Sequence, residues 1–170
     1  MSGRASPGSR QVPRVQSSLL DRLIDDAPDE MRDAAVSAAD SMAALRNSVR
    51  RDLEALLNAR RCWRSWPAHM TQLATSPIGY GIPDFASGAF SDARRREDLR
   101  LEIEATIRRF EPRFLSVRVN LIDTQDRLET MLRLRIEAVM HAEPAPESVM
   151  FDTLVDPITD GVVVRPGNVV

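Results

Sequence analysis

Cysteine is almost missing from the chain, because Cys62 is the only one among 170 residues. A single thiol can form neither an internal disulfide nor a cysteine-based metal cluster. The two histidines, His69 and His141, lie far apart in the sequence and have no second ligand at metal-binding spacing. We therefore expect no cofactor and no metal, and the single cysteine fits a reducing compartment.

The chain also lacks the long apolar runs that mark membrane segments. It contains no stretch of about 18 apolar residues, and residues 1–18 contain no apolar core of a signal peptide. The formal net charge is only −2, so the chain has no overall positive field. Binding to nucleic acid needs a clustered positive surface that displaces counterions. We expect a cytoplasmic protein without direct membrane insertion and without nucleic acid as its main partner.

The length of 170 residues suits one domain with an appended arm. Residues 1–18 are rich in Ser, Pro, Gly and Arg, which predicts a disordered arm. Residues 19–44 contain short apolar stripes and an alanine-rich run, and we interpret them as a helical N-terminal extension. The alanine-rich part is either a helix or a linker. Residues 45–170 carry the stronger patterns and are predicted to form the main domain.

Helices and strands follow one another in the main domain. Apolar side chains at helical spacing predict two helices, with Ser91 or Asp92 as the N-cap of the second. Their apolar faces consist of Leu45, Val49, Leu53, Leu56 and Leu57, and of Leu99, Ile103, Ile107 and Phe110. Alternating apolar residues predict strands at 115–121, 132–138, 149–155 and 162–164. Short polar turns favour an antiparallel meander covered by the helices, which is an α+β fold.

A second feature of the later helix is a row of charges. Arg100, Glu104 and Arg108 follow one another at four-residue spacing. Pairs at this spacing stabilise a helix by a few tenths of a kcal/mol. We interpret the row as a solvated charged face.

The second helix meets the first strand at Phe110-Glu111-Pro112-Arg113-Phe114. Pro112 has no N–H and disfavours α geometry at Glu111, so the helix should end near Phe110. In an extended segment, Glu111 and Arg113 would project to the same side and present an acid and a guanidinium together. The alternative is an internal ion pair that closes the helix-to-strand turn.

Three sequence motifs together resemble a known family. They are the run at residues 48–60, the connector at residues 76–85 with Tyr80-Gly81 and Pro83-Asp84, and Phe110-Glu111-Pro112-Arg113. In this order they are similar to the TssE family of type VI secretion baseplate subunits. That family belongs to the lysozyme-like wedge proteins of contractile phage tails. The resemblance covers roughly residues 19–164 and implies the lysozyme-like wedge fold.

The resemblance implies a structural role in a baseplate. The implied partners are the wedge proteins TssF and TssG and the sheath proteins TssB and TssC, with TssK as a further candidate. Glu111, Pro112 and Arg113 match the wedge-contact motif of the family. A bidentate arginine pair in a partly desolvated interface is strong and oriented, which suits that role.

The connector and the later strands complete the set of expected partner-binding residues. Tyr80, Pro83 and Asp84 match the connector motif. Sheath assembly is expected to begin by strand sharing, in which an exposed strand edge takes up a partner strand. We place that edge either at residues 149–155, with Val149 and Phe151, or at residues 162–164. The alternative is an edge blunted by Arg and Pro.

A peptidoglycan-cleaving glycosidase is the rival interpretation, because the family name includes the word lysozyme. Such an enzyme needs two carboxyl groups roughly 5 to 10 Å apart, one of them protonated in an apolar pocket. The candidate acids are Asp52, Glu54, Asp84, Glu97 and Glu111, and none lies in a catalytic signature. The guanidinium two residues from Glu111 favours a charged carboxylate, which is wrong for a general acid. We expect no enzymatic activity. The wedge subunit of a phage-derived tail is the other alternative.

Overall fold

The computed structural model of the chain describes residues 37–61, 65–67, 69–84, 92–122, 131–142, 145–156, 159 and 161–167, with positions 21, 23 and 29. Within these ranges it contains helices α1 (Ala38–Asn58) and α2 (Ala93–Phe110). The strands are β1 (Arg60–Arg61), β2 (Ile82–Pro83), β3 (Phe114–Ile122), β4 (Leu132–Met140), β5 (Glu147–Val155) and β6 (Val162–Pro166). The arm predicted at residues 1–18 lies outside the described residues.

Helix α1 begins where Ser37 caps it. The Ser37 hydroxyl accepts a hydrogen bond from the backbone N–H of Asp40 at 3.1 Å, which satisfies one of the free donors of the first turn. The five apolar side chains predicted for this helix face are all buried, as the 3.6-residue period requires. The boundary predicted between residues 44 and 45 falls inside α1, so residues 38–44 continue the same helix.

Helix α2 also begins and ends as its sequence predicts. Asp92 is the N-cap and accepts from the N–H of Arg94 at 3.0 Å. Leu99, Ile103 and Ile107 are buried. The helix ends at Phe110, two residues before Pro112.

Strands β3 to β6 form one antiparallel sheet in the order β3-β4-β5-β6, which confirms the predicted meander and the α+β class. The two helices pack on one face of the sheet, and β4 alternates buried and half-buried residues along its length. Strands β1 and β2 form a separate parallel pair. The core therefore lies between the sheet and the two helices.

The alternation predicted for residues 115–121 puts Leu115 on the same side as Val117 and Val119, and this is wrong for Leu115 because a β-bulge interrupts β3. Phe114 pairs with Met140 and Ser116 pairs with Val139, which leaves Leu115 as the extra residue. Leu115 is consequently 52% exposed, and Phe114 packs against the core instead.

Leu53→Ala should lower the free energy of unfolding by about 2 to 5 kcal/mol, because it opens a cavity in the core. Leu53 is fully buried, whereas Leu101 on helix α2 is 49% exposed. Leu101→Ala is therefore the matched control and should change the stability by less than about 0.5 kcal/mol. Chemical denaturation of both variants measures the difference. A cost for Leu53→Ala below about 1 kcal/mol would show that the helix face is assigned incorrectly.

Candidate functional site

The segment after helix α2 is a turn, and not the extended segment expected from the sequence. The N–H of Phe114 bonds to the carbonyl of Glu111 at 3.3 Å, and β3 begins only at Phe114. Pro112 is exposed at the tip of this turn, Arg113 is half-buried, and Glu111 is buried. The two charged side chains therefore meet across a turn and not through strand alternation.

Arg113 and Glu111 form a two-point ion pair within the chain. The Nε atom of Arg113 donates to Oε1 of Glu111 at 2.6 Å, and Nη2 donates to Oε2 at 2.5 Å. Such a bidentate contact is strong and orients both groups. The structure thus contains the internal ion pair that the sequence left as the alternative to a pair presented to a partner.

Helix α1 supplies further ligands for Arg113. Nη2 also donates to Oδ2 of Asp52 at 2.7 Å, and Nη1 donates to the Ser48 hydroxyl at 3.3 Å. Burial alone would lower the pKa of Arg113, but the hydrogen bonds and charges of Glu111 and Asp52 outweigh it and raise that pKa above its ordinary value. Arg113 therefore keeps its charge and ties the turn to helix α1.

The ion-pair cluster extends to Asp21. The Ser48 hydroxyl donates to Oδ2 of Asp21 at 2.5 Å, and Nη2 of Arg51 donates to Oδ1 of the same residue at 2.8 Å. Arg51 also reaches Oδ1 of Asp52 at 3.2 Å. With Glu111 and Arg113, the cluster holds three carboxylates and two guanidiniums, so its formal charge is −1.

A groove of about 460 Å³ lies beside this cluster, lined by Asp52, Leu56, Tyr80 and Phe110–Arg113. The rings of Tyr80 and Phe110 meet edge to face, with centroids 5.3 Å apart. Burial, and then the negative charges of Asp52 and Glu111, raise the pKa of Tyr80, so its phenol stays neutral near pH 7. The groove offers a partner an aromatic wall, an exposed proline and an excess of negative charge.

The backbone after Tyr80 packs closely against the end of α1, which fixes the position of Tyr80. The N–H of Ile82 donates to the carbonyl of Ala59 at 3.0 Å, where β2 pairs with β1. Gly81 has a φ of +96°, and a Cβ there would lie 2.4 Å from the Ala59 oxygen. Only glycine fits these two constraints. Pro83 is half-buried in β2 and Asp84 is exposed, and neither lines the groove.

The outer edge of β6 is covered by a polar row on helix α1. The side-chain amide of Asn58 binds both backbone groups of Val162. Its Nδ2 donates to the Val162 carbonyl at 2.8 Å, and its Oδ1 accepts from the Val162 N–H at 2.9 Å. Glu54 accepts from the N–H of Val164 at 3.3 Å, and Arg50 donates to the carbonyl of Val164 at 3.4 Å. These side chains occupy the backbone groups that an added strand would need.

Helix α2 covers the edge of β3 in the same way. Arg100 donates to the carbonyl of Val119 at 2.9 Å, and Glu104 accepts from its N–H at 3.1 Å. Arg108 donates to the carbonyl of Val117 at 3.2 Å. The interpretation of this row as a solvated face is therefore wrong for Arg100 and Glu104, whose side chains are only 18% exposed.

The two free edges predicted for strand sharing need correction. Residues 151–155 of β5 pair with β4 on one side and β6 on the other, so they form no edge. Val149 and Phe151 are buried in the core. β6 does lie at the edge of the sheet, but side chains of α1 already bind the backbone groups of Val162 and Val164.

Several of these contacts were not predicted from the sequence. Ser48 and Asp52 lie one helical turn apart, and Arg50, Glu54 and Asn58 repeat every four residues. That spacing shows that each set shares a helix face. The sequence gives no sign of which strand or turn each face meets.

Arg113→Met should destabilise the chain by about 3 kcal/mol, because it leaves the buried Glu111 carboxylate without its charged partner. Adding Glu111→Gln to that variant should recover at least about 1 kcal/mol. Arg118→Met, an exposed arginine on β3, is the control for the loss of an arginine side chain. Urea denaturation of the natural chain, Arg113→Met, Glu111→Gln and their double variant gives the coupling energy, with Arg118→Met measured beside them. A loss below about 0.5 kcal/mol for Arg113→Met would mean that the pair has no structural role.

Glu104, which accepts a hydrogen bond from the edge strand β3, should make the free energy of unfolding depend on pH. Burial would raise the pKa of Glu104, but the N–H of Val119, Arg108 and Arg100 together lower it below its ordinary value of 4.5. A lowered folded-state pKa gives stability that is present above the unfolded-state value and is lost as the pH falls through the folded-state value. The stability difference between the natural chain and Glu104→Gln should therefore be largest above pH 4.5 and shrink at lower pH.

Denaturation at a series of pH values from neutral to acid measures this difference. Asp98→Asn removes an exposed carboxylate from the same helix and serves as the control. A difference for Glu104→Gln that stays constant over the whole acid range would contradict the contribution of the Glu104 charge.

In the described part of the chain, neither helix is long and apolar enough to span a bilayer. Among the same residues, no three His, Cys, Asp or Glu side chains are grouped to hold a metal ion.

Comparison with known proteins gives one family. The family model of baseplate wedge protein gp25 matches residues 43–145, which is more than half of the chain. No curated protein matches. A chain from a solved structure titled "The baseplate complex from the type VI secretion system" is similar at 14% identity and a TM-score of 0.46, over 67% of this chain and 96% of that chain.

The family match extends from helix α1 through the connector and the turn at Glu111–Arg113 to the end of β4. It includes all three motifs on which the resemblance was based, and it confirms the prediction of a structural wedge protein. The chain therefore belongs to the family of baseplate wedge protein gp25.

Proposed function

We propose that the chain is the wedge subunit of a type VI secretion baseplate, acts in the cytoplasm, and joins TssF and TssG to the start of the TssB–TssC sheath. The observation that carries this proposal is the family match at residues 43–145, which covers α1 from residue 43 onward, all of α2 and the groove at Arg113. The three motifs that resemble the TssE family support the choice of a secretion baseplate. A wedge subunit of a phage-derived tail is the alternative within the same family.

The groove at Arg113 is the proposed wedge contact. Interfaces gain most of their affinity from a few aromatic and arginine side chains in rigid surroundings. Tyr80 and Phe110 supply the aromatic wall, and the bonds of Arg113 to Glu111 and Asp52 hold the turn rigid. Because both carboxylates already bind Arg113, the groove is organised before a partner arrives, which lowers the entropy cost of binding.

No catalytic step is part of this proposal. A glycosidase needs one carboxyl group that donates a proton and a second that stays charged. The two carboxylates of the groove, Asp52 and Glu111, are instead tied to the same guanidinium at 2.7 Å and 2.5 Å. This arrangement is typical of a structural ion pair.

Strand sharing is proposed at the first residues of β5, beyond the end of β6. The pairing of β6 with β5 begins at Phe151 opposite Pro166, whereas β5 itself begins at Glu147. A groove of about 470 Å³ lies there, between α1 and residues Ser148–Phe151. Gly167 donates its N–H to the carbonyl of Met150 at 2.8 Å. By strand alternation, the backbone groups of Ser148 face the same side.

A gentle purification of the tagged chain from its host should recover TssF, TssG, TssB and TssC. Pro112→Glu puts a charged side chain on the exposed tip of the turn and should reduce recovery of TssF and TssG at least tenfold. Met131→Glu is the control, because Met131 is 48% exposed. It precedes β4 at the end of the sheet opposite to Phe114 and Met140.

The proteins recovered in this purification decide between the candidate assemblies. Recovery of phage-type tail proteins would replace the secretion assignment with the alternative, and recovery of no baseplate protein would overturn both. Equal recovery of wedge proteins with Pro112→Glu and the natural chain would exclude the Arg113 groove as the contact.

Ser148→Pro removes the backbone N–H that is the proposed donor to a sheath strand. This variant should lose the sheath proteins while it keeps the wedge proteins. Thermal unfolding of each variant checks that it is folded.

A further inference from the structure

The sheet has a second face that the two helices do not cover. It carries the even-numbered residues of β3 and β5 from 116 to 122 and from 148 to 154, and the odd-numbered residues of β4 and β6 from 133 to 139 and from 163 to 165. We name this surface the outer face. Within the described ranges, both helices pack on the opposite face, where the buried side chains lie.

Arginine dominates the charge of the outer face. It carries Arg118, Arg133, Arg135 and Arg165 against Glu137 and Asp152, which gives a formal charge of +2. The whole chain has a net charge of −2. The outer face is therefore positive on a protein that is negative overall, and the field of the face favours an approaching negative surface.

The register places these charges in rows across the sheet. Arg135 stands between Asn120 and Asp152, and Asp152 in turn stands opposite Arg165. Nε of Arg135 donates to Oδ1 of Asp152 at 2.9 Å. In the neighbouring row, Arg118 stands opposite Glu137. Arg118, Arg135 and Arg165 thus surround the two carboxylates Glu137 and Asp152, and these five residues carry a formal charge of +1.

Apolar side chains lie between the arginines. Leu154 and Val163 follow Arg133 in one row, and Val163 is 45% exposed. At the other end of the face, a shallow groove of about 410 Å³ is lined by residues that include Arg118, Val139 and Met150. Arginine is enriched in protein interfaces, because its planar guanidinium can stack on a partner and form hydrogen bonds at the same time.

We propose that the outer face is a second docking surface and binds an acidic protein segment, with carboxylates toward the arginines and apolar side chains between them. Nucleic acid suits the face less well, because its binding relies on a dense array of positive charges and two carboxylates interrupt this one. Two outer faces would repel each other, so the surface does not favour a symmetric dimer. The proposal does not depend on the wedge assignment.

The test uses the full chain and defined peptide probes. A fluorescent peptide of alternating Glu and Val should bind in a salt-dependent manner by fluorescence anisotropy, while alternating Gln and Val should bind at least tenfold more weakly. The double variant Arg118→Glu with Arg165→Glu should weaken binding of the acidic peptide at least tenfold. The matched control is Arg94→Glu with Arg95→Glu, two exposed positions on helix α2. It changes the net charge equally and should bind like the natural chain.

Other outcomes would overturn the proposal. Equal losses in both double variants would show that only net charge matters. Tighter binding of a single-stranded oligonucleotide or of anionic vesicles than of the peptide would assign the face to those ligands. Self-association that is lost only in Arg118→Glu with Arg165→Glu would assign it to a second copy of the chain. Circular dichroism and thermal unfolding of both double variants check that they are folded.

Discussion

The satisfaction of the two sheet edges by helix side chains is the constraint on which the rest of the structure depends. Four strands leave two rows of unpaired backbone groups. Arg50, Glu54 and Asn58 bind one row, and Arg100 and its neighbours on α2 bind the other. Because these bonds have direction, they fix the position of each helix along its strand. An apolar face alone would fix the packing distance far better than the position along the strand.

The site at Arg113 follows from that fixed position. Asp52 lies two residues from both Arg50 and Glu54 in α1, about 200° around the helix from each, and it bonds to Arg113 in the turn after α2. The turn itself is determined locally, by Pro112 and by the bulge that begins β3. One helix thus serves two structural tasks, since one of its faces closes the sheet and another supports the groove.

The sequence predicted the parts of this fold that depend on local period and local stereochemistry. The buried face of α1, the end of α2 before Pro112 and the four strands belong to this class. The position of Leu115 could not be predicted, because a bulge depends on the partner strand and leaves the alternation of the sequence unchanged. The partners of Arg113 could not be predicted either, because Ser48 and Asp52 lie about sixty residues earlier in the chain. Spacing shows which residues share a face, and only tertiary packing shows what that face meets.

The covered edges of β3 and β6 also affect how readily copies of the chain associate with one another. A sheet with bare edges would recruit copies of itself, and ordered fibres or amorphous aggregates would compete with the intended machine. Here the edge of β6 is closed by side chains of the same chain. The closed rows at β3 and β6 therefore leave little backbone for a second copy of the chain to pair with, and direct any added strand to the first residues of β5.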